Sequence, residues 1–361
     1  MQNQSIFFII IQVTIIMSNI KVSIIIPIFQ VESYIERCLC SVISQTYNHS
    51  EIECILVDDC GKDRSVEIAL DIIRSYSGNI QFKIIHNDKN SGSSVSRNNG
   101  LKNACGHFVF FLDSDDYLTP DCIEKLLLKS LLFPELEVIK GNHIDKRNNE
   151  TISSDHVPTY VLNNSELMHL FFLTYIPCMV WNTLISRELI ERCNLQFIPD
   201  IIYEDVLWSF MLFKEVNYFM FVPDVTLHYE VNPNSVMNSK QELDFRQIKS
   251  RLVILNILFK NIELKFYVEI MIYMTSMILQ LLDIVNHNGG AKPFCLEIFT
   301  IRKKIFHRTC RDFRLILIIF ELLMFPPLLY LYNIRSFRKN YNSLSHIVCL
   351  TAKMFSFLHI S

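Results

Sequence analysis

The chain has 361 residues, 50% of them hydrophobic, 20% charged and 12% aromatic. That composition excludes a disordered, collagen-like or small disulfide-stapled protein, and at about 150 residues per domain the length predicts two domains or one large domain with an extension. The net charge of −3 is unevenly spread: residues 301–361 hold ten Lys/Arg against two Asp/Glu, so a tail of +8 follows a body of −11, and an acidic body disfavours nucleic acid as a partner.

Eleven cysteines, without a C-x-x-C pair or a Cys/His run at zinc spacing, predict buried reduced thiols in a cytosolic protein. Ile6 to Met17 is an apolar run of twelve residues, short of the ~20 that span a bilayer. It has neither a positive n-region nor a small-residue cleavage site. Residues 1–20 therefore read as an apolar extension with Met17 as the expected start of translation; the rival reading is a weak membrane anchor.

From Lys21 to about Gly141, strands and helices alternate. Val22 to Ile28 is a continuous apolar run rich in β-branched residues, as a strand buried on both faces requires. Tyr34/Ile35, Cys38/Leu39 and Val42/Ile43 then recur at helical spacing. Ile52 to Val57 is a second buried strand, ending in Asp58-Asp59, and Asp63 is placed to N-cap a helix with Val66, Leu70 and Ile73 on one face. Phe82 to Ile85 is a third strand, followed by a loop of Asn, Ser and Gly and a helix around Arg97 to Ala104. Phe108 to Leu112 is a fourth, running into Asp113-Ser114-Asp115-Asp116. Such repeated units predict an α/β fold with a mostly parallel sheet flanked by helices, whose ligands collect at the carboxyl ends of the strands. Three of those ends carry unusual polar residues: Pro27 to Glu32, Asp58-Asp59, and Asp113 to Asp116.

Residues 142–240 read as mixed and richer in aromatics, with a helix Ser165 to Leu173, a strand near Val180 to Ile185 and a helix opening at Glu204-Asp205. Residues 241–361 read as a helical, basic extension, with amphipathic stretches Glu242 to Asn261 and Phe266 to Val285. Leu315 to Tyr332 holds one charge, Glu321, and is interrupted by Pro326-Pro327 between basic flanks. It predicts peripheral attachment to an anionic membrane surface rather than a spanning helix. The rival is a tail helix folded back over an apolar face.

The motifs carry the chemistry. Asp113, Asp115 and Asp116 put three carboxylates into a four-residue turn at a strand end. Like charges packed so closely are stabilised by a divalent cation, Mn2+ or Mg2+, which takes its remaining ligands from water and phosphate and so implies a nucleotide diphosphate. An isolated D-x-D is more often a solvated loop; its position after a buried strand, with Asp58-Asp59 after another, favours a site. Asp58-Asp59 can accept from a base N–H or a ribose hydroxyl, or serve as a helix cap. The loop Asn90 to Gly100 offers backbone N–H groups and Arg97 at a helix start, which suits phosphate, although no P-loop is present. Glu204-Asp205 is an ordinary helix-start acidic pair or a general base. His228-Tyr229 and Asn232 to Ser235 contribute to a substrate pocket or form core and turn.

Taken together, Val22-Ser23-Ile24-Ile25-Ile26-Pro27-Ile28-Phe29, Ser44-Gln45-Thr46-Tyr47, Leu56-Val57-Asp58-Asp59, Ser96-Arg97-Asn98-Asn99-Gly100, Asp113-Ser114-Asp115-Asp116 and Tyr203-Glu204-Asp205 resemble the glycosyltransferase family 2 enzymes of the GT-A fold, of the bacterial surface-polysaccharide type. The resemblance runs from Lys21 to about Ser235. It implies that Pro27, Asp59 and Arg97 contact the nucleotide, that Asp113 and Asp115 form the D-x-D metal site with Asp113 also at the donor, and that Asp205 is the catalytic base. It also implies a catalytic domain over 21–240, with a nucleotide-binding half at 21–141 and an acceptor half at 142–240. Gln30 stands where the family often has Asn, Cys60-Gly61 where it usually has Gly-Ser, and Ser91-Gly92-Ser93 has one glycine where two are common. No Q-x-x-R-W follows Asp205 and no block of several spanning helices is present, which argues against a processive polymerase.

The resulting expectation is an inverting transfer from a nucleotide-diphosphate sugar, a UDP-sugar, to a hydroxyl of a glycan or lipid-linked oligosaccharide, at the cytoplasmic face of the membrane. One rival is transfer to polyprenyl phosphate, which needs no strong base. A second is a nucleotidyltransferase, which would want a Gly-rich loop with a Lys or Arg directly after the first strand, and a third is a catalytically dead scaffold.

Overall fold

The computed structural model describes residues 22–146, 150–152, 162–172, 178, 180–230, 232 and 240–261, together with 270, 273–274, 276–278, 280–281 and 300–301. The chain divides into two compact units, Met1–Ser235 and Val236–Ser361. In the second, α8 (Lys240–Lys260) and the described residues between 270 and 301 are helical. The expected apolar extension 1–20 and the apolar segment Leu315 to Tyr332 lie outside the described residues. Among the described residues no helix is long and apolar enough to cross a membrane.

The first unit is built on a sheet whose core is β1 (Val22–Ile28), β2 (Ile52–Asp58), β3 (Gln81–His86) and β4 (Phe108–Phe111), parallel in the order β3-β2-β1-β4. Every residue of β2 is buried, and so is β1 apart from Pro27, which is why both read as unbroken apolar runs. The sheet continues through β8 (Thr183–Ser186), β6 (Val138–Asp145), β9 (Phe219–Tyr229) and β5 (Tyr117–Leu118), with β7 (Glu150–Ile152) beside β6. In this half β8 runs antiparallel to both β4 and β6, while β6 and β9 are parallel.

The helices are α1 (Ile35–Ile43), α2 (Ser65–Ser75), α3 (Gly92–Asn103), α4 (Cys122–Leu132), α5 (Asn164–Phe172), α6 (Arg187–Arg192) and α7 (Glu204–Glu215). The expected strand at Val180 begins at Thr183. The motif residue Gln45 is structural: its Nε2 donates to the carbonyls of Ser41 and Thr119 and its Oε1 accepts from Ile123 N–H, tying α1 to α4. Gly100 lets α3 lie against β1, since a Cβ there would come 2.3 Å from Ile25 Cγ2. Asp63 is not the N-cap of α2; that position is Arg64, and Asp63 accepts the N–H groups of Glu32 and Ser65. The eight described cysteines are free thiols, and of these Cys38, Cys54 and Cys122 are buried while Cys40 and Cys105 are exposed, so burial is not general.

Below the site, Glu53 of β2 holds the turn into β4. It is 4% exposed, accepts from Ser23 Oγ at 2.5 Å, Cys105 N–H at 2.6 Å and Gly106 N–H at 3.2 Å, and pairs with Lys83 at 2.7 Å. Burial would raise its pKa, but Lys83, Ser23 and Cys105 outweigh burial and bring it from 4.5 to about 2. A depressed folded-state pKa contributes stability above the unfolded value that disappears as pH falls from 4.5 towards 2. Allowing for screening of the part-exposed Lys83, Glu53→Gln should cost about 2–3 kcal/mol at pH 7 and about half of that at pH 3. Urea unfolding at the two pH values checks this; an equal loss at both would assign the effect to packing.

Candidate active site

The carboxyl ends of β1, β2 and β4 meet the start of α3. Asp59, just past β2, is buried, and its carboxylate accepts from Ser91 N–H at 2.8 Å, Gly92 N–H at 2.7 Å and Asn87 Nδ2 at 2.7 Å. Helix α3 consequently starts at Gly92, five residues before the expected Arg97, and the anion held by these two N–H groups is the protein's own Asp59. Gly92 has φ +83°, which lets the chain turn into that carboxylate. Asp58 Oδ2 lies 2.9 Å from His86 Nδ1, and its Oδ1 accepts Gly61 N–H at 3.3 Å. Cys60 takes φ 60°, a left-handed conformation that favours glycine, and its thiol donates to Asn87 O at 2.8 Å. Pro27 is the part-exposed penultimate residue of β1, in register with Val57.

Arg97, one turn into α3, joins the two acidic motifs. Its two terminal nitrogens donate to Asp113 Oδ1 at 2.8 Å and to Glu204 Oε1 at 2.7 Å, and the side chain is 7% exposed. Ser93 Oγ also donates to Glu204 Oε1, at 2.6 Å. Burial opposes the Arg97 charge, and the fields of Asp113 and Glu204 more than offset it. Burial likewise works against an ionised Glu204, yet Arg97 and Ser93 hold its pKa below the usual carboxylate range. In these contacts Arg97 is a bridge between protein carboxylates that stand 91 positions apart in sequence.

The acidic turn after β4 does not present three equivalent carboxylates. Asp113 Oδ1 faces Arg97, whereas Asp115 accepts from Asn232 Nδ2 at 3.2 Å. Burial, then the field of Asp113, pushes Asp115 up to about 6. Asp116 is fully buried, its Oδ1 takes the N–H of Glu230 at 2.8 Å, and its Oδ2 has no hydrogen-bond partner among the described residues. Burial, then the fields of Asp113 and Asp115, raise Asp116 well above the usual carboxylate range, and its bond to Glu230 N–H ties the turn to the end of β9. Nearby, His228 stacks on Tyr117 at 4.5 Å and Arg37 caps the other partner of the pair, 4.4 Å from the Tyr117 centroid.

Asp205 lies in the first turn of α7. The N-cap is Tyr203, with φ 64° and no side-chain capping bond, so Asp205 is not a cap. Its Oδ1 accepts Val206 N–H at 2.9 Å, and Cys178 Sγ donates to Oδ2 at 3.7 Å. Burial, then repulsion by Glu204, moves it up to about 6. A carboxylate poised there is ionised at neutral pH and still basic enough to take a proton.

Sequence reasoning missed the residues that aim α7. Asn98 exchanges two hydrogen bonds with the backbone of Phe197, at 2.8 and 2.9 Å, and the Phe197 ring stacks on Trp208 of α7 at 4.1 Å and 2°. Phe111 of β4 packs edge-on against both rings. Asn98 belonged to a quoted motif and was the available signal; nothing in the spacing of Phe197 and Trp208 pointed to their stacking.

Residues 23–193 match the family described as Glycosyl transferase family 2. The chain is 33% identical over 222 residues to the uncharacterized glycosyltransferase EpsJ of Bacillus subtilis (strain 168), a match covering 60% of this chain and 62% of EpsJ, so it spans less than two thirds of that curated relative. Among solved structures it is similar to Staphylococcus aureus TarS 1–349 in complex with UDP-GlcNAc, with TM-score 0.61, 19% identity, and coverage of 79% of this chain and 80% of that one. It is also similar to the mannosyltransferase PcManGT from Pyrobaculum calidifontis in complex with GDP-Man and Mn2+, with TM-score 0.53, 15% identity, and coverage of 95% and 88%. At these identities the structural likeness is one of fold, the GT-A fold. With the ordered motifs converging on one sheet edge, the match to glycosyl transferase family 2 takes in residues 23–193, 171 of the 361.

Proposed function

We propose that the protein is an inverting glycosyltransferase that moves a sugar from a UDP-sugar to a hydroxyl of a glycan or lipid-linked oligosaccharide in surface-polysaccharide synthesis. The observation that carries this reading is the Asp113–Arg97–Glu204 bridge, which brings the D-x-D turn and the start of α7, with Asp205, to one site. Asp205 takes the proton of the acceptor hydroxyl as that oxygen attacks the anomeric carbon. The bond to the diphosphate oxygen breaks on the opposite face, so one displacement inverts the centre. The resident Asp205 carboxylate favours a hydroxyl acceptor over polyprenyl phosphate, which arrives already ionised. The UDP-sugar assignment is supported by the TarS complex with UDP-GlcNAc. The basic tail read from the sequence supports work at the inner face of the membrane.

A divalent metal fits the residues present. Asp113 and Asp115 sit in one turn, where burial and then the field of Asp113 raise the Asp115 pKa against the pull of Arg37, so a further cation there would be stabilising. Among the described residues no group of three or more His, Cys, Asp or Glu could hold a metal alone, so Asp113 and Asp115 would hold it together with phosphate and water, as Mn2+ or Mg2+ accepts. When bound, such an ion neutralises charge that develops on the leaving diphosphate.

Calorimetric titration with UDP, with and without MnCl2, tests the reading. Mn2+ should tighten UDP binding by about tenfold or more, and Asp113→Asn with Asp115→Asn should remove that gain while circular dichroism stays unchanged. A gain that persists in the double variant would sink the metal role, and absence of UDP binding under both conditions would sink the UDP-sugar assignment.

A further inference from the structure

The chain that leaves β9 is fastened to the acidic turn at three points. Glu230 N–H donates to Asp116 Oδ1 at 2.8 Å, the Glu230 carboxylate pairs with Arg37 of α1 at 2.8 Å, and Asn232 Nδ2 donates to Asp115 Oδ2 at 3.2 Å. Arg37 closes the ring. Its other terminal nitrogen donates to the carbonyl of Asp115 at 3.4 Å, and its guanidinium lies over Tyr117, the register partner of His228 in the β5–β9 ladder. On the opposite side of β9, Lys146 N–H donates to Tyr229 O at 3.0 Å. Asn232, two residues beyond Glu230, therefore reaches Asp115 from a fixed base.

The two aspartates of the D-x-D turn are met by different chemistry. Asp113 faces the Arg97 cation at 2.8 Å. Asp115 meets a neutral amide, which orients a carboxylate without cancelling its charge. Arg37 is a cation whose field reaches Asp115, yet its terminal nitrogens are engaged by the Glu230 carboxylate and the Asp115 carbonyl. A carboxylate held in this way keeps its attraction for a divalent ion and has already lost side-chain freedom that binding would otherwise cost.

We propose that Asn232 is a positioning residue that presets Asp115 for the divalent ion, with Glu230 and Arg37 as the clasp that fixes it, an inference that rests on the metal reading of Asp113 and Asp115. Hydrogen-bond partners of metal-holding groups typically contribute 10- to 100-fold to metal affinity. Replacing Asn232 by an apolar residue leaves every carboxylate of the turn in place, so a resulting change in metal affinity is one of geometry and not of charge.

The test is calorimetric titration of the full chain with UDP over a series of MnCl2 concentrations, each protein being referred to its own UDP affinity in metal-free buffer. In Asn232→Leu, close to asparagine in size but without the donor, the Mn2+ concentration that gives half of the gain in UDP affinity should rise by about tenfold or more. Asn232→Ala should shift it in the same direction, and decides alone if Asn232→Leu fails to fold. A merely structural asparagine would lower the thermal unfolding midpoint and leave the Mn2+ dependence in place. A shift of less than about twofold in the folded variants overturns the proposal. A wild-type protein whose UDP affinity ignores Mn2+ would overturn the metal reading and this inference with it. A gain lost in Asp113→Asn with Asp115→Asn but kept in Asn232→Leu and Asn232→Ala would overturn this inference alone.

Discussion

Asp205→Asn should leave the fold and UDP affinity unchanged and lower transfer by 10² to 10⁴-fold, the range that general-base catalysis contributes. The helix does not need the carboxylate. Its N-cap is Tyr203, Glu204 is already tied to Arg97 and Ser93, and an asparagine oxygen can accept Val206 N–H as Asp205 Oδ1 does at 2.9 Å. What asparagine lacks is the capacity to take a proton. With Asp205 held at about 6 by burial and by Glu204, wild-type transfer should be level above pH 7 and fall about tenfold per unit well below pH 6, as the base becomes protonated. Transfer kinetics and UDP titration across pH 5 to 8 measure both. Retention of more than a tenth of the wild-type turnover would return Asp205 to a structural part.

The half of the sheet that binds nucleotide in the proposed reaction was the readable half. β1, β2 and β4 are buried on both faces, so their sequences are apolar throughout, and each ends in polar residues that have no place in a core. The other half of the sheet hid its strands in polar sequence. β6 is almost entirely buried yet reads VIKGNHID, and its Lys140 and Asn142 are tolerated because partners distant in sequence satisfy them: Trp181 O, Thr183 Oγ1 and Pro223 O. β9 contains Pro223-Asp224, which reads as a break. In the structure these two exposed residues sit where the register with β6 shifts between Gly141 and His143, a bulge that places proline outside the ladder. The site was legible as a set of residues and not as contacts. Asp113, Arg97 and Glu204 are each in a recognisable motif, but their joining depends on α7 crossing back to α3, which Phe197 and Trp208 enforce by stacking.

Arg97→Met should destabilise the protein by about 3–5 kcal/mol, the usual consequence of leaving buried carboxylates without their cation. The same change should lower transfer by about 100-fold or more, because the first turn of α7 loses the anchor that sets Asp205 and small displacements of a reacting group are that costly. Arg97→Lys should rescue little, since one ammonium cannot reach Asp113 and Glu204 at 2.8 and 2.7 Å as the planar fork does. A double-mutant cycle separates the bridge from generic damage. Glu204→Gln removes one of the carboxylates that Arg97 neutralises, so in that background Arg97→Met has less charge to strand. The loss of stability in urea unfolding should shrink by about 1 kcal/mol or more. If Arg97 instead spends its charge on the nucleotide, the two substitutions should add to within about 0.5 kcal/mol in the free protein, and the coupling should appear in UDP affinity.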